Sequence, residues 1–120
     1  MSLQCVLVAE DELIIGVDLC DTVEEAGFEV EGPFDTASSA IESLARRTPD
    51  LAILDVRLDD GVVYPLADKL FAANVPVIFH SGEVSPREVS VRYPQAHALV
   101  KPCPPNEIIQ TMRQALAAAA

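Results

Sequence analysis

Short apolar runs alternate along the chain with segments in which apolar residues recur every three or four positions. The apolar runs are QCVLVAE, FEVEGPF, LAIL, VPVIFH and HALV. Four segments carry the helical repeat: Ile15, Leu19, Val23 and Ala26; Ala37, Ile41, Leu44 and Ala45; Val63, Leu66, Ala67 and Leu70; and Ile108, Met112 and Leu116. A further short helix is predicted from capping signals at Ser85 and is expected to stop at Pro94. This alternation predicts an α/β fold with a parallel sheet, made of five strands and five helices.

Local signals refine the prediction. QCVLVAE is almost continuously apolar, which is typical of a strand covered on both faces. FEVEGPF is more polar and contains Pro33, so we expect it near an edge of the sheet. Gly27 is expected to end the first helix. Ser85, Pro86 and Glu88 match a capping box with proline at the first helical position, which predicts the start of the fourth helix.

Composition and charge narrow the class of protein. At 120 residues, half of them hydrophobic, the chain is expected to form one domain over residues 1–120. A net charge of −11 argues against direct binding to nucleic acid or to an anionic membrane. No signal peptide or membrane-spanning run is predicted. Cys5, Cys20 and Cys103 form no C-x-x-C pair, so we expect small buried thiols, reduced in the cytoplasm.

Chemically active side chains stand at the ends of four predicted strands. Glu10 and Asp11 end the first strand, Asp55 follows LAIL, Ser81 ends the fourth strand and Lys101 follows the fifth. In a doubly wound sheet the carboxyl ends of the strands share one crevice, so these side chains should converge. Three adjacent carboxylates repel one another, and a hard divalent cation such as Mg²⁺ relieves the repulsion. Asp55 is therefore predicted to be a charged nucleophile beside a metal.

Each of these residues also has an ordinary structural explanation. Glu10 and Asp11 would serve as a helix cap, Asp55 as a turn residue and Lys101 as a solvated charge. Because five separate positions would have to supply matching groups at one sheet edge by coincidence, the shared site is the better interpretation.

The ordered motifs VAEDE, ILDVRLDDG, IFHSG and LVKP run across nearly the whole chain. In this order they resemble the receiver domains of two-component response regulators. The resemblance implies a doubly wound, flavodoxin-like sheet of five parallel strands in the order 2-1-3-4-5, with five helices. It implies a signalling domain that takes a phosphoryl group from a histidine kinase or phosphotransfer protein and then changes its binding to an output partner, which the sequence does not identify.

The resemblance also implies a role for each site residue. Asp55 would be the phosphoacceptor, Asp11 a direct Mg²⁺ ligand, Glu10 a ligand through water, the backbone carbonyl of Arg57 a further ligand, and Lys101 and Ser81 the groups that bind phosphoryl oxygens. The Lys101-Pro102 peptide bond would be cis, a sharp turn that aims the ammonium into the crevice.

The chain departs from the family pattern at several positions. Ala98 stands where most receivers carry an aromatic switch residue, and His97 is the only ring beside it in the sequence. FHSGEV is similar to a variant of the subgroup known by the letters FATGUY. Asp59 and Asp60 replace a common proline and are expected to add negative charge near the metal. His80 should point away from Ser81, because neighbouring strand residues face opposite sides.

A charge pair is predicted at the mouth of the site. Arg57 and Glu83 each lie two residues beyond a site residue, on what should be adjacent loops. We expect this pair to gate the hydrolytic water rather than to stabilise the fold, since exposed ion pairs contribute only about 0–1 kcal/mol.

Two other functions compete with a phosphorylated receiver. A degenerate receiver that binds partners without phosphorylation is supported by Ala98 alone. A phosphatase of the haloacid dehalogenase type also uses an aspartate nucleophile with Mg²⁺, but it wants a second acid two residues on, where this chain has Arg57. The sequence leaves open a homodimer, and it leaves open whether the chain is a whole regulator or part of a longer protein.

Overall fold

The computed structural model describes residues 3–82 and 86–119, without the side chain of residue 86. The elements are β1 (Cys5–Ala9), α1 (Leu13–Glu25), β2 (Glu29–Phe34), α2 (Ala37–Leu44), β3 (Leu51–Leu54), β4 (Arg57–Leu58), β5 (Gly61–Val62), α3 (Tyr64–Ala72), β6 (Val77–Ser81), α4 (Pro86–Arg92), β7 (His97–Val100) and α5 (Pro105–Ala119). None of the helices in these ranges is long and apolar enough to cross a membrane.

Five parallel strands form the main sheet in the order β2-β1-β3-β6-β7. Counted within this sheet alone, the order is 2-1-3-4-5, which confirms the predicted topology. Every residue of β1 and β3 is buried, whereas the more polar β2 lies at an edge, as its composition predicts.

The structure adds two short strands to the five of the predicted sheet. Strands β4 and β5 pair antiparallel as a separate hairpin, with Arg57 opposite Val62 and Leu58 opposite Gly61. Each strand has only two residues, too few for an alternating pattern to show in the sequence. This hairpin directly follows Asp55 and so belongs to the surroundings of the site.

Alternation along the buried strands divides the core between the two faces of the sheet. On one face the strands pack against α2, α3 and α4, through side chains that include Leu7, Leu54, Leu66, Phe79 and Val89. On the other face they pack against α1 and α5, through side chains that include Val8, Leu19, Ile53, Ile78 and Met112. Helices therefore cover both faces, and the strand ends stay accessible at one edge.

The helix-ending glycine and the buried cysteines predicted from the sequence can both be compared with the structure. Helix α1 ends two residues before Gly27, which has φ +98°, as expected for a terminating glycine. Cys5 and Cys20 are buried free thiols, but Cys103 is only half-buried, at the margin of the α1 and α5 core. The predicted capping residue Ser85 lies outside the described residues.

A turn at Gly32 in β2 lies against the end of β1. Gly32 has φ +121°, and a β-carbon built on it would lie 2.3 Å from the carbonyl oxygen of Val8. Only glycine fits this close approach. The β1–β2 register is irregular here, and the backbone N–H of Glu10 donates to the carbonyl of Phe34 at 2.8 Å. The turn therefore holds the backbone that presents the first acid of the site.

Candidate functional site

Three carboxylates meet at the carboxyl edge of the sheet. Glu10 and Asp11 follow β1, Asp55 follows β3, and one oxygen from each lies within 4.8 Å of the others. Glu10 is 2% exposed and Asp55 9% exposed. Asp55 is held at the strand end by its backbone N–H, which donates to the carbonyl of Ala9 at 2.9 Å. The convergence predicted from the strand ends is therefore present.

Lys101 brings a positive charge into this group. Its Nζ lies 2.5 Å from Glu10 Oε1 and donates to Asp55 Oδ2 at 2.9 Å. Its side chain is only 14% exposed. The backbone N–H of Lys101 donates to the carbonyl of Ser81 at 3.0 Å, which ties the end of β6 to the residue that follows β7. The Lys101-Pro102 peptide bond is cis, as predicted.

The pKa values reflect a site with more negative than positive charge. Burial raises the pKa of Glu10 to about 7, and the neighbouring Asp55 adds to the rise, against the opposing effect of Lys101. Burial alone would lower the pKa of Lys101, but its contacts with Glu10 and Asp55 outweigh this and raise it. Protonation of Glu10 near neutral pH therefore relieves part of the repulsion.

The donor set fits a hard cation. Oxygens of Glu10, Asp11 and Asp55 face one another beside the ammonium of Lys101, and Mg²⁺ prefers such carboxylate ligands together with water. A crevice of about 80 Å³ opens at this point, lined by Asp11, Glu12, Asp55, Arg57, Gly82 and Lys101. This volume leaves space for water beside the carboxylates.

Arg57 reaches the site through its backbone. Its backbone N–H donates to Asp55 Oδ1 at 3.4 Å, and Arg57 is the first residue of the β4–β5 hairpin. Ser81 is the last residue of β6 and is 5% exposed, with Gly82 lining the crevice beside it. The predicted partner of Arg57, Glu83, lies outside the described residues, so their pairing stays a prediction.

The expectation for Asp59 and Asp60 is wrong for Asp60. Its carboxylate turns to the N-terminus of α2, where Oδ1 accepts from the N–H of Ala37 at 2.8 Å and Oδ2 accepts from Ser38 Oγ at 2.6 Å. These bonds lower the pKa of Asp60, that from Ser38 most. Sequence reasoning missed this role because the partners are 22 and 23 residues apart.

His80 lies on the face of the sheet that packs against α1 and α5. It is 6% exposed and lines a cavity of about 490 Å³ between α1 and α5, and both ring nitrogens lack a hydrogen-bond partner among the described residues. Burial, aided by nearby Lys101, lowers the pKa of the imidazole. The neutral form of the ring is therefore favoured, and the ring packs on the α1 and α5 side of the sheet.

The region around Ala98 contains rings that the sequence did not reveal. Ala98 is in register with Phe79 on β6, and the Phe79 ring stacks on Tyr93 with centroids 5.4 Å apart. Tyr93 also stacks on Phe71, and its hydroxyl donates to Asp68 Oδ1 at 2.6 Å. The expectation that His97 is the only ring close to this position is therefore wrong, because Phe79 is paired with Ala98 in the sheet. Phe79 lies on β6 and Tyr93 precedes β7, so only the packing of these elements shows that the two rings stack beside the strand position paired with Ala98.

A family model described as the response regulator receiver domain matches residues 6–113 of the chain. The transcriptional regulatory protein PdtaR of Mycobacterium tuberculosis is 31% identical over 116 residues, covering 92% of this chain and 56% of the relative. The regulatory protein LuxO of Vibrio cholerae is 33% identical over 87 residues, covering 68% of this chain and 19% of the relative. The chain therefore spans about half or less of these curated relatives.

Solved structures show the same architecture. A response regulator receiver protein from Sinorhizobium medicae superposes with a TM-score of 0.89 at 26% identity, covering 98% of both chains. The PhyR response regulator REC domain of Erythrobacter litoralis superposes with a TM-score of 0.84 at 30% identity, covering 97% of this chain and 91% of the other.

Proposed function

Because the chain belongs to the response regulator receiver domain family of two-component signalling, we propose that Asp55 accepts a phosphoryl group from a histidine kinase or a phosphotransfer protein. The observation that carries the proposal is the contact of the Asp55 carboxylate with Lys101 at 2.9 Å, inside a cluster with two further acids. A carboxylate that served only as a turn residue would need neither the buried ammonium nor the acidic neighbours.

The proposed reaction needs positioning and charge compensation more than proton transfer. A carboxylate oxygen of Asp55 attacks the phosphorus, the bond from phosphorus to the donor histidine nitrogen breaks, and the departing imidazole takes a proton from solvent. Lys101 Nζ, which donates a hydrogen bond to Asp55 Oδ2, would compensate the negative charge on a phosphoryl oxygen. Ser81, at the end of β6, would bind another phosphoryl oxygen after transfer.

Glu10, Asp11 and Asp55 and the backbone carbonyl of Arg57 would hold Mg²⁺. The bound cation would neutralise the equatorial oxygens of the phosphoryl group. Asp11 would bind it directly and Glu10 through water. The residues fit this group because three carboxylates offer oxygens within 4.8 Å of one another, next to the ammonium of Lys101.

The domain acts in signalling rather than as a turnover enzyme. We propose that phosphorylation of Asp55 changes the binding of an output partner, and that the protein works in the cytoplasm, which is consistent with its free thiols. A role as a phosphorylation-independent binding module is the second candidate, because Ala98 leaves the usual aromatic switch position without a ring.

Intact-mass spectrometry after incubation with acetyl phosphate tests the proposal. With Mg²⁺, wild-type protein should gain the mass of one phosphoryl group, and with a chelator it should gain none. The Asp55→Asn variant should stay unmodified under both conditions, while Asp59→Asn, an exposed neighbour, should behave as wild type. An unmodified wild type with Mg²⁺ would favour the binding module instead.

A further inference from the structure

A carboxylate outside the acidic cluster links the hairpin after Asp55 to a helix. Asp60 lies in the turn between β4 and β5, and it accepts three hydrogen bonds at the start of α2: from the N–H of Ala37 at 2.8 Å, from the N–H of Ser38 at 3.1 Å and from Ser38 Oγ at 2.6 Å. The first N–H groups of a helix have no partner within the helix, and a carboxylate is a strong acceptor there. The contact therefore fixes the hairpin to α2.

Helix α2 has a local cap as well. Thr36 Oγ1 accepts from the N–H of Ser39 at 3.1 Å, in the usual geometry of an N-cap residue. Thr36 thus accepts a hydrogen bond from the N–H of Ser39, and Asp60 accepts hydrogen bonds from the N–H groups of Ala37 and Ser38. Of the two, only Asp60 joins α2 to another part of the chain.

The hairpin that Asp60 fastens is the one that contacts the phosphoacceptor. Arg57, in β4, donates its N–H to Asp55 Oδ1 at 3.4 Å and pairs with Val62 in β5. The backbone N–H of Asp59 adds a second link to the α2 side by donating to the carbonyl of Asp35 at 2.9 Å. The segment from Asp55 to the turn is thus held at both ends, by β3 and by α2.

We propose that Asp60 is a positioning residue for the phosphoacceptor site. By holding the hairpin against α2, it sets the distance and direction of the Arg57 backbone relative to the Asp55 carboxylate, and so presets the oxygens that receive the cation. The inference rests on the proposed function, because it assigns Asp60 a part in that same site.

Three variants separate positioning from simple helix capping. Asp60→Ala removes the link to α2, Asp60→Asn keeps an amide oxygen as an acceptor, and Thr36→Ala removes the local cap of the same helix without touching the hairpin. For each, the melting temperature, the Mg²⁺ dissociation constant by calorimetry and the rate of labelling by acetyl phosphate at subsaturating Mg²⁺ are measured.

We expect Asp60→Ala to raise the Mg²⁺ dissociation constant about tenfold and to slow labelling in proportion, as loss of outer supporting groups does at metal sites. Asp60→Asn should recover most of this loss. Thr36→Ala should lower the melting temperature while leaving the dissociation constant within about twofold of wild type. If Asp60→Ala fails to fold, Ser38→Ala, which removes only the bond from Oγ, should show a smaller change in the same direction.

The inference is overturned if Asp60→Ala folds and binds Mg²⁺ as wild type does, because Asp60 would then be a helix cap and nothing more. It is also overturned if Thr36→Ala weakens Mg²⁺ binding as much as Asp60→Ala does. Failure of the proposed function itself looks different: the wild-type protein would neither bind Mg²⁺ nor be labelled, whatever residue stands at position 60.

Discussion

Replacing Lys101 with methionine removes the ammonium of the site but keeps an unbranched apolar stem. In the wild type, Nζ lies 2.5 Å from Glu10 Oε1 and 2.9 Å from Asp55 Oδ2. The exposed fractions of the Glu10 and Asp55 side chains are only 1% and 11%, so water compensates little for the lost charge. Removing one partner from such a buried group lowers the free energy of unfolding by about 3–5 kcal/mol.

Magnesium should reduce this loss. At a concentration about a hundredfold above its dissociation constant, a ligand that binds only the folded state adds roughly 2.7 kcal/mol to the free energy of unfolding. The variant has one positive charge fewer beside the same carboxylates, so it should bind Mg²⁺ more tightly and gain more. Because wild type is stabilised by Mg²⁺ as well, the destabilisation relative to wild type should fall in saturating Mg²⁺ by about 1.4 kcal/mol for each tenfold by which the variant binds Mg²⁺ more tightly.

Protonation of Glu10, like Mg²⁺ binding, should reduce the destabilisation caused by Lys101→Met. The pKa of Glu10 is about 7 in the folded protein, above its ordinary value of 4.5. The folded state therefore binds this proton more tightly than the unfolded state, and the free energy of unfolding rises as the pH falls through 7 toward 4.5. Because loss of the ammonium raises the pKa of Glu10 further, acidification should rescue Lys101→Met more than wild type.

Urea denaturation with a chelator, with Mg²⁺ and at two pH values measures these differences, provided that the m-values agree. Lys69→Met on α3 is the matched control, since Lys69 is exposed and its loss should cost no more than about 0.5 kcal/mol. An equal loss for Lys101→Met under all conditions would refute the reasoning, because the loss would then come from packing and not from charge.

Three further predictions concern the site and its support. The Mg²⁺ affinity should fall as the pH drops below 7, approaching about tenfold per pH unit, because Glu10 must lose its proton, and Glu10→Gln should abolish this dependence in calorimetric titrations. Tyr93→Phe should lower the free energy of unfolding by about 1 kcal/mol through loss of its bond to Asp68, and should cost less in an Asp68→Ala background in a double-mutant cycle. Gly32→Ala should lower the free energy of unfolding by more than about 2 kcal/mol, since φ is +121° and a β-carbon meets backbone at 2.3 Å; a loss near zero in urea denaturation would contradict this geometry.

The main sheet was predictable because its strands carry strong local signals. LAIL and QCVLVAE are apolar over their whole length, as strands buried on both faces require, and the more polar FEVEGPF took the edge. Once the strands were assigned, the rule that their carboxyl ends share a crevice was enough to bring Glu10, Asp11, Asp55 and Lys101 together.

The features that the sequence did not predict depend on contacts between residues that belong to different elements of the chain. The β4–β5 hairpin has too few residues to show a period, and Asp60 was expected to add charge near the metal because nothing local in the sequence points it toward α2. The aromatic group at Phe79 and Tyr93 is made by a strand and the residue that follows α4. Propensity and spacing describe neighbours along the chain, and these contacts arise only when the elements pack.

The chemical location of the phosphoryl group tests the central claim most directly. Wild-type protein is incubated with a phosphoramidate and Mg²⁺, the acyl phosphate is reduced with borohydride to convert the modified aspartate into homoserine, and peptide mass spectrometry locates the change. We predict homoserine at position 55 alone, and none when Mg²⁺ is chelated. Homoserine at another aspartate, or none at all with Mg²⁺ present, would contradict the assignment of Asp55 as the phosphoacceptor.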